Sequence, residues 1–298
     1  MKIFDCFMFS DENMLLNVRL NVLNQFVDKF IISESAYLHD GSKKKLNFNI
    51  NDFINFKDKI EYIVVKDQPP QLSEISLNDT DSQKAEKKIH NSLKRENYQR
   101  EQLSKGVTNL DSNDLIIVSD VDEIPDLTNI DFKNLNDEIL IFKQKMFYYK
   151  FNLYYKNFVW FGTKATKKKN FVSPQWLRNI KNKFYPYWRL DVLFSKSKYN
   201  NIRFVENGGW HFTCVKKPKD VQKKLLTFLH HQDFEDAKIS LSDLENKMRE
   251  KEILYDHKLD KKNQNKWITK TKLVKIEIEN LPLYLQNNQK EFSEWFEQ

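Results

Sequence analysis

The segment Leu115-Ile116-Ile117-Val118-Ser119-Asp120-Val121-Asp122-Glu123-Ile124-Pro125 constrains the fold more than any other stretch of the chain. An unbroken apolar run that ends abruptly in acids is the pattern of a strand buried on both faces, emerging at its carboxyl edge. Such a strand belongs to a mostly parallel α/β sheet with helices on its faces. Open sheets of that kind bind ligands outside the carboxyl ends of their strands. In extended geometry residues i and i+2 point to one side, so Asp120 and Asp122 are expected to converge on one site while Val121 faces the core. Two carboxylates held together repel unless a cation lies between them. A hard divalent ion with oxygen ligands, Mg²⁺ or Mn²⁺, suits the pair. The spacing alone carries little, because Asp79-Thr80-Asp81 repeats it in a polar stretch with no strand before it, where solvated turn chemistry is expected. For Asp120 and Asp122 the competing account is a pair of capping or turn acids ahead of Pro125.

The remainder of the first half alternates short apolar segments with helical patterns, the signature of βαβ units. Strands are expected at 3–9, 29–33, 60–66, 115–119 and 139–143. A helix is expected at 12–25, with Met14, Leu15, Val18 and Val22 at helical spacing and Ser10 or Asp11 as N-cap. Residues 68–82 read as a loop and 83–105 as a long helix, so this half looks doubly wound. After residue 143 the pattern changes to aromatic strands and hairpins, such as 146–155 and 159–166. Helices return at 218–231, where Pro218 suits a first turn, and around 241–254. His230 and His231, at the end of the first of these, read as surface or C-cap histidines. The polar, lysine-rich stretch 256–272 reads as a linker before a last short helix near 281–296. The expected organisation is one α/β domain over 1–255 with a C-terminal helical extension over 256–298.

Composition narrows the chemistry. The chain has 298 residues and only five glycines, against a usual share of about 7%. Their positions, 41, 106, 162, 208 and 209, fit neither a P-loop nor a dinucleotide-binding fingerprint. A phosphorylated ligand would therefore have its charge met by a metal or by cationic side chains. Cys6 and Cys214 form no disulfide framework or zinc-type spacing. No apolar run approaches the roughly 18 residues that span a bilayer, and no signal peptide is recognisable. The expected setting is the cytoplasm.

The net charge of +7 conceals a strong asymmetry: residues 1–142 carry −8, residues 143–203 carry +14 with Asp191 as their single acid, and residues 204–298 carry +1. The middle stretch also holds seventeen aromatic residues. Basic residues interleaved with aromatics can track a nucleic acid, pack on sugars and phosphosugars, or meet an anionic membrane surface. Alternatively, the aromatics alternate along strands and fill a core.

Five segments in order resemble glycosyltransferase family 17, the family of the β-1,4-mannosyl-glycoprotein N-acetylglucosaminyltransferase. They are Asp5-Cys6-Phe7-Met8-Phe9, Phe30-Ile31-Ile32-Ser33-Glu34-Ser35, Arg95-Glu96-Asn97-Tyr98-Gln99-Arg100, the acid strand from Ser119 to Pro125, and Asn207-Gly208-Gly209-Trp210-His211-Phe212. The resemblance runs from about residue 2 to about residue 231. Pro174-Gln175-Trp176-Leu177-Arg178 departs from the pattern, with Trp176 where an acid is expected. The membrane anchor of the animal enzymes is not seen, which argues against a Golgi glycoprotein acceptor.

The resemblance implies a GT-A fold with a mostly parallel central sheet, a UDP-sugar donor (UDP-GlcNAc by analogy), Mn²⁺ or Mg²⁺, and inversion at the anomeric carbon. Residues 1–142 would then be the nucleotide-sugar half and 143–255 the basic, aromatic acceptor half. Asp122 would ligate the metal and Asp120 would ligate it or hydrogen-bond the ribose. His211 would be a further metal or phosphate ligand, with a satisfied core histidine as the alternative. Inversion needs a general base, for which Glu206, Asp191 and Glu123 are the candidates, and an ordinary salt bridge the alternative for each. Arg95 and Gln99 share one helical face, and Glu96 and Arg100 another. One of these arginines could reach the diphosphate, while a plain Glu96/Arg100 surface pair is the bland account. Asp5 and Glu34, on the same sheet edge, are candidates for nucleotide or ribose contacts. Trp160, Trp176 and Trp188 are possible sugar platforms.

The implied partners are the UDP-sugar, a glycan or lipid-linked saccharide acceptor in cell-surface glycan synthesis, and an anionic membrane surface met peripherally at its inner face. No specific nucleic acid is expected. Two other functions compete: a sugar nucleotidyltransferase, which usually needs a glycine-rich loop, and a polyanion- or RNA-binding protein built on 143–203.

Overall fold

The architecture follows from strands that are apolar on both faces. The computed structural model describes residues 1–136, 138–186, 188–227, 234–235, 237–259 and 264–298. Strands β1 (Ile3–Phe9), β2 (Lys29–Ser35), β3 (Ile60–Val65) and β4 (Leu115–Asp120) lie parallel in the order β3-β2-β1-β4. Successive side chains alternate between two cores. Phe7, Phe9, Phe30, Ile32 and Ile117 pack under helix α1 (Asn13–Leu23) through its Leu15, Leu16, Leu20 and Leu23. Phe4, Cys6, Ile31, Ile116 and Val118 face the opposite core, with Leu103, Val107 and Leu177. The strand order reverses between β1 and β4, and such a switch opens the crevice where α/β sheets bind ligands.

Three further strands extend this sheet beyond β4. β9 (Lys164–Lys167) runs antiparallel to both β4 and β6 (Ile139–Phe142), and β10 (Ile202–Val205) pairs parallel with β6 at the edge. A second, five-stranded sheet has the order β12-β8-β7-β11-β5. It contains β5 (Glu123–Pro125), β7 (Gln144–Tyr148), β8 (Leu153–Trp160), β11 (Gly209–Thr213) and β12 (Val274–Lys275). The expected stretch 146–155 is the β7–β8 hairpin. Residues 159–166 are not a hairpin: the chain leaves the second sheet at Trp160 and enters the main sheet at Lys164. Gly209 sits where β11 meets β5 at φ +121°, and a Cβ there would lie 2.2 Å from the Ile124 carbonyl. Only glycine accepts both constraints.

Helix α2 (Asp81–Glu101) starts at a capping box between Thr80 and Gln83. Asp79 accepts from the Ser76 amide (2.7 Å) and pairs with Lys87, so this second Asp-x-Asp stretch serves a turn and a helix start. The later helices are α3 (Pro174–Asn179), α4 (Pro218–Thr227), α5 (Leu241–Arg249) and α6 (Leu283–Asn287). His230 and His231 lie outside the described residues. The last expected helix is shorter than 281–296: α6 is followed by a 3₁₀ turn at Ser293–Trp295. Leu281, Leu285 and Phe292 are buried in the same core as α1, so this terminal stretch closes the main core.

Candidate active site

The acid segment is where the chain changes sheets. β4 ends at Asp120 in the main sheet and β5 begins at Glu123 in the second, so 120–123 is a turn at the seam. Arg19 of α1 holds that turn from below. Its fully buried guanidinium pairs in two-pronged fashion with Asp5 (2.8 and 2.6 Å) and donates to the carbonyls of Asp120 (3.0 Å) and Glu123 (2.8 Å). A second cationic side chain, Arg178 of α3, closes the turn from above. It reaches Asp120 (3.0 Å) and Glu123 (2.6 and 3.1 Å). Burial works against both Asp120 and Arg178 as ions, but their mutual attraction, with Arg100 added for Asp120 and Glu123 for Arg178, outweighs it. The Asp120 carboxyl is held below the usual range and Arg178 above its own.

Because the strand ends at Asp120, the i, i+2 rule does not carry across to Asp122, and the two carboxylates are held by different cations. Asp120 accepts from Arg100 (3.1 Å) and Arg178 (3.0 Å). Buried Asp122 instead faces His211 Nε2 of β11 at 3.7 Å and Lys224 Nζ of α4 at 3.5 Å. Burial alone would raise the Asp122 carboxyl, yet Lys224 and His211 more than offset it and hold the carboxyl well below the ordinary carboxylate range. Lys224 also approaches Glu12, at 3.9 Å. The His211 ring stacks on Trp160 with centroids 4.6 Å apart, and its Nδ1 is buried without a hydrogen-bond partner.

Lys224 forms part of the wall of two cavities. One, of about 330 Å³, is lined by Trp160, Phe158, Tyr255, Trp267, His257 and Asp256 among others. His257 touches the Tyr148 hydroxyl, and burial pushes its pKa down to about 3, leaving a neutral imidazole. The other, of about 210 Å³, is polar and lined by Lys44, Lys45, Lys223, Ser10 and Asn47 beside Lys224.

Among the described residues no three His, Cys, Asp or Glu side chains form a metal-holding group. Asp122 and His211 nevertheless supply a carboxylate oxygen and an imidazole nitrogen at one buried spot, and the unpartnered Nδ1 shows that the histidine's polar atoms are not all satisfied by the protein. That donor mix suits Mn²⁺, and hard ions of this kind commonly take only one or two protein ligands, with phosphate and water completing the shell. The residues fit such an ion. Asp120 does not join them, since both its oxygens are taken by arginines.

Other sequence candidates are engaged elsewhere. Asp5 is sealed against Arg19 and faces no ligand. Glu34, fully buried, accepts from Lys44, the amides of Asn47 (2.8 Å) and Phe48 (3.0 Å), and the Tyr62 hydroxyl (2.8 Å), so it pins the 37–48 loop. Arg95 donates to Gln68 (2.7 Å) and the His39 carbonyl (3.1 Å). Gln99 ties the Phe9 and Ser33 carbonyls together (3.2 and 3.0 Å). Arg100 is no surface residue: it is buried and bridges Glu96, Gln175 and Asp120.

None of the three expected bases is placed to act as one. Glu206 is exposed and paired with Lys143 (2.5 Å), and Asp191 is exposed between Arg189 and Lys198 (2.6 Å each). Glu123 is buried and saturated by Arg178, Trp160 Nε1 (2.7 Å) and the Asp120 amide (2.8 Å). Gly162 permits that packing, since a Cβ there would fall 2.1 Å from the Glu123 carboxylate. Of the tryptophans, Trp160 lines the larger cavity, Trp176 packs against Tyr199 through a 2.9 Å hydrogen bond, and Trp188 stands in solvent. Many of the aromatics in 143–203, including Phe147, Tyr148, Tyr149, Phe151 and Tyr155, are core. Among the described residues, these core aromatics contribute no exposed stacking face.

Sequence reasoning missed Arg19, Arg178, Lys224, His257 and Asp256. Arg178 lay inside a motif already singled out, next to its aberrant tryptophan. The others carried no local signal, because each acts through a partner about a hundred residues away or through a cavity.

Acids and cations gathered at the carboxyl edge of parallel strands, beside an aromatic cavity, define an α/β protein with a candidate ligand site at its topological switch. The sequence profile described as Glycosyltransferase family 17 matches residues 1–294. The chain belongs to that family and is a glycosyltransferase, with a sugar donor and a glycan acceptor as its general partners. No curated protein sequence matches it. Among solved structures, it is similar to the crystal structure of HddC from Yersinia pseudotuberculosis, at 11% identity and a TM-score of 0.31, covering 70% of this chain and 92% of that one. No helix among the described residues is long and apolar enough to cross a membrane.

Proposed function

We propose that the protein is a metal-dependent, inverting glycosyltransferase of GT-A architecture. It moves a sugar, GlcNAc by family analogy, from a UDP-sugar to a hydroxyl of a glycan or lipid-linked saccharide. The observation that carries this reading is the buried Asp122–His211–Lys224 cluster, whose Lys224 forms part of the wall of two cavities of contrasting chemistry. The diphosphate rests beside Lys224, the nucleoside extends toward the polar cavity, and the sugar packs on Trp160 in the aromatic one. Asp122 and His211 would hold Mn²⁺ or Mg²⁺, which supplies positive charge to the departing diphosphate. Lys224, kept protonated because Asp122 and Glu12 outweigh the effect of burial, adds a fixed positive charge at the same place.

In the transfer step an acceptor oxygen bonds to the anomeric carbon as the bond from that carbon to the phosphate oxygen breaks. UDP leaves with the electron pair, and the acceptor proton passes to a base. We assign that base to Asp256, the carboxylate among the described residues lining the aromatic cavity. Its Oδ1 accepts from the Lys258 amide at 2.9 Å, which orients the group. The reading places the enzyme in the cytoplasm, with its acceptor presented at the inner face of a membrane in cell-surface glycan synthesis.

Calorimetric titration with UDP tests the donor half: binding is expected with Mn²⁺ and is expected to weaken at least about tenfold in chelator. Absence of UDP binding in Mn²⁺ would overturn the reading. Asp256→Asn is expected to keep UDP affinity within about twofold while transfer falls by about 10²–10⁴. Full transfer by that variant would remove Asp256 from the mechanism.

A further inference from the structure

The connection from α3 to β10 exposes apolar side chains to solvent, and among the described residues Trp188, Leu193 and Phe194 stay largely uncovered. Trp188, Leu193 and Phe194 are 78, 76 and 88% accessible, and Phe184 and Leu190 are also exposed, all within an 11-residue window. At such exposures the side chains protrude from the surface and do not line a groove. Single exposed hydrophobics are ordinary, but a cluster of this size marks an interaction site. Val192 points inward and a 3₁₀ turn at Leu190–Val192 shapes the tip, so the loop is folded and still presents these residues outward.

Its charge says what covers it. Lys181, Lys183, Arg189, Lys196 and Lys198 flank the apolar residues in sequence, and Asp191, the one acid of the segment, is paired with Arg189 and Lys198, so the stretch keeps a net positive charge. Protruding aromatics in a lysine-rich stretch match the interface of an anionic bilayer, where indole and phenyl rings settle at the headgroup boundary and lysines meet lipid phosphates. We propose that the described residues of the connection, 181–186 and 188–198, form a membrane-docking surface that inserts Trp188, Leu193 and Phe194 into an anionic leaflet. The loop leaves directly from α3, whose Arg178 clamps Asp120 and Glu123, so docking would set the reaction site close to the bilayer. That last consequence rests on the transferase reading; the surface itself does not.

The test is co-sedimentation of the full chain with vesicles of phosphatidylcholine alone or with about one-third phosphatidylglycerol. Binding is expected only to the anionic vesicles and is expected to fall in high salt. Leu193→Ser/Phe194→Ser is expected to lower the bound-to-free ratio at least about tenfold, and Lys181→Glu/Lys183→Glu to lower it independently, with UDP binding unchanged in both. Three results would overturn the proposal: equal binding to both vesicles, no binding to either, or anionic binding untouched by the Leu193/Phe194 variant. A wild-type dimer that this variant converts to monomer, without vesicle binding, would assign the patch to a second copy of the chain instead. Loss of UDP binding by the wild type would sink the transferase reading and leave this one standing.

Discussion

Asp122→Ala is expected to abolish measurable sugar transfer, by about 10³-fold or more, while the chain stays folded. The variant removes the one acid among the described residues that faces both His211 and Lys224. Loss of a pre-organised electrostatic partner at a reacting diphosphate costs about 10²–10³ in rate, and loss of a carboxylate ligand also weakens ion binding. Lys224 does not become an isolated buried charge, since Glu12 remains 3.9 Å away. Unfolding followed by circular dichroism should therefore show a modest shift. The acid limb of the unfolding profile should change as well. Asp122 titrates below its unfolded value, so it contributes stability above about pH 4 that disappears as pH falls further. Without it, that part of the acid dependence flattens. Retention of transfer by the variant would break the link between this cluster and the chemistry.

Arg19→Met should have the largest effect on stability. Both partners of the Asp5–Arg19 pair are fully buried, and removing one partner of such a pair costs about 3–5 kcal/mol because the other charge is left without compensation. For a chain of this length the loss corresponds to a fall of roughly ten degrees in Tm. The carbonyls of Asp120 and Glu123 lose their donor at the same time, so the turn that carries Asp122 loosens and transfer should decline beyond what unfolding explains. Arg19→Met combined with Asp5→Leu should regain part of the lost stability, since a buried pair replaced by apolar groups of similar size is often close to neutral. A double variant less stable than Arg19→Met alone would show that Asp5 has another role.

The main sheet was readable because its strands obey a strong local rule. Runs such as 115–118 are apolar on both faces, and 3–9 is so apart from Asp5, so burial within a sheet is what fits them. The second half was harder to read. Strand β8 and strand β9 follow each other almost without interruption, yet they belong to different sheets. Nothing in the aromatic, basic stretch announces that change, because the same residue types suit either sheet. The acids suffered a related difficulty. Asp120 and Asp122 were correctly placed at a strand edge, but the expectation that they converge assumed extended backbone through residue 122, and the strand stops at 120.

By itself the sequence determined that the chain is an α/β protein with acids emerging from a buried strand, and that cationic side chains or a metal, not a glycine nest, must meet a phosphate. Those conclusions follow from local patterning and from what is missing among five glycines. The tertiary structure decided which cation each acid meets and which of those cations borders a cavity. Asp5, Glu34, Asp120 and Glu123 are each neutralised by an arginine or lysine on another element, whereas buried Asp122 meets both His211 and Lys224, and Lys224 in turn lines two cavities. A carboxylate's role depends on the charges and the solvent around it, and those are brought together only when distant segments pack.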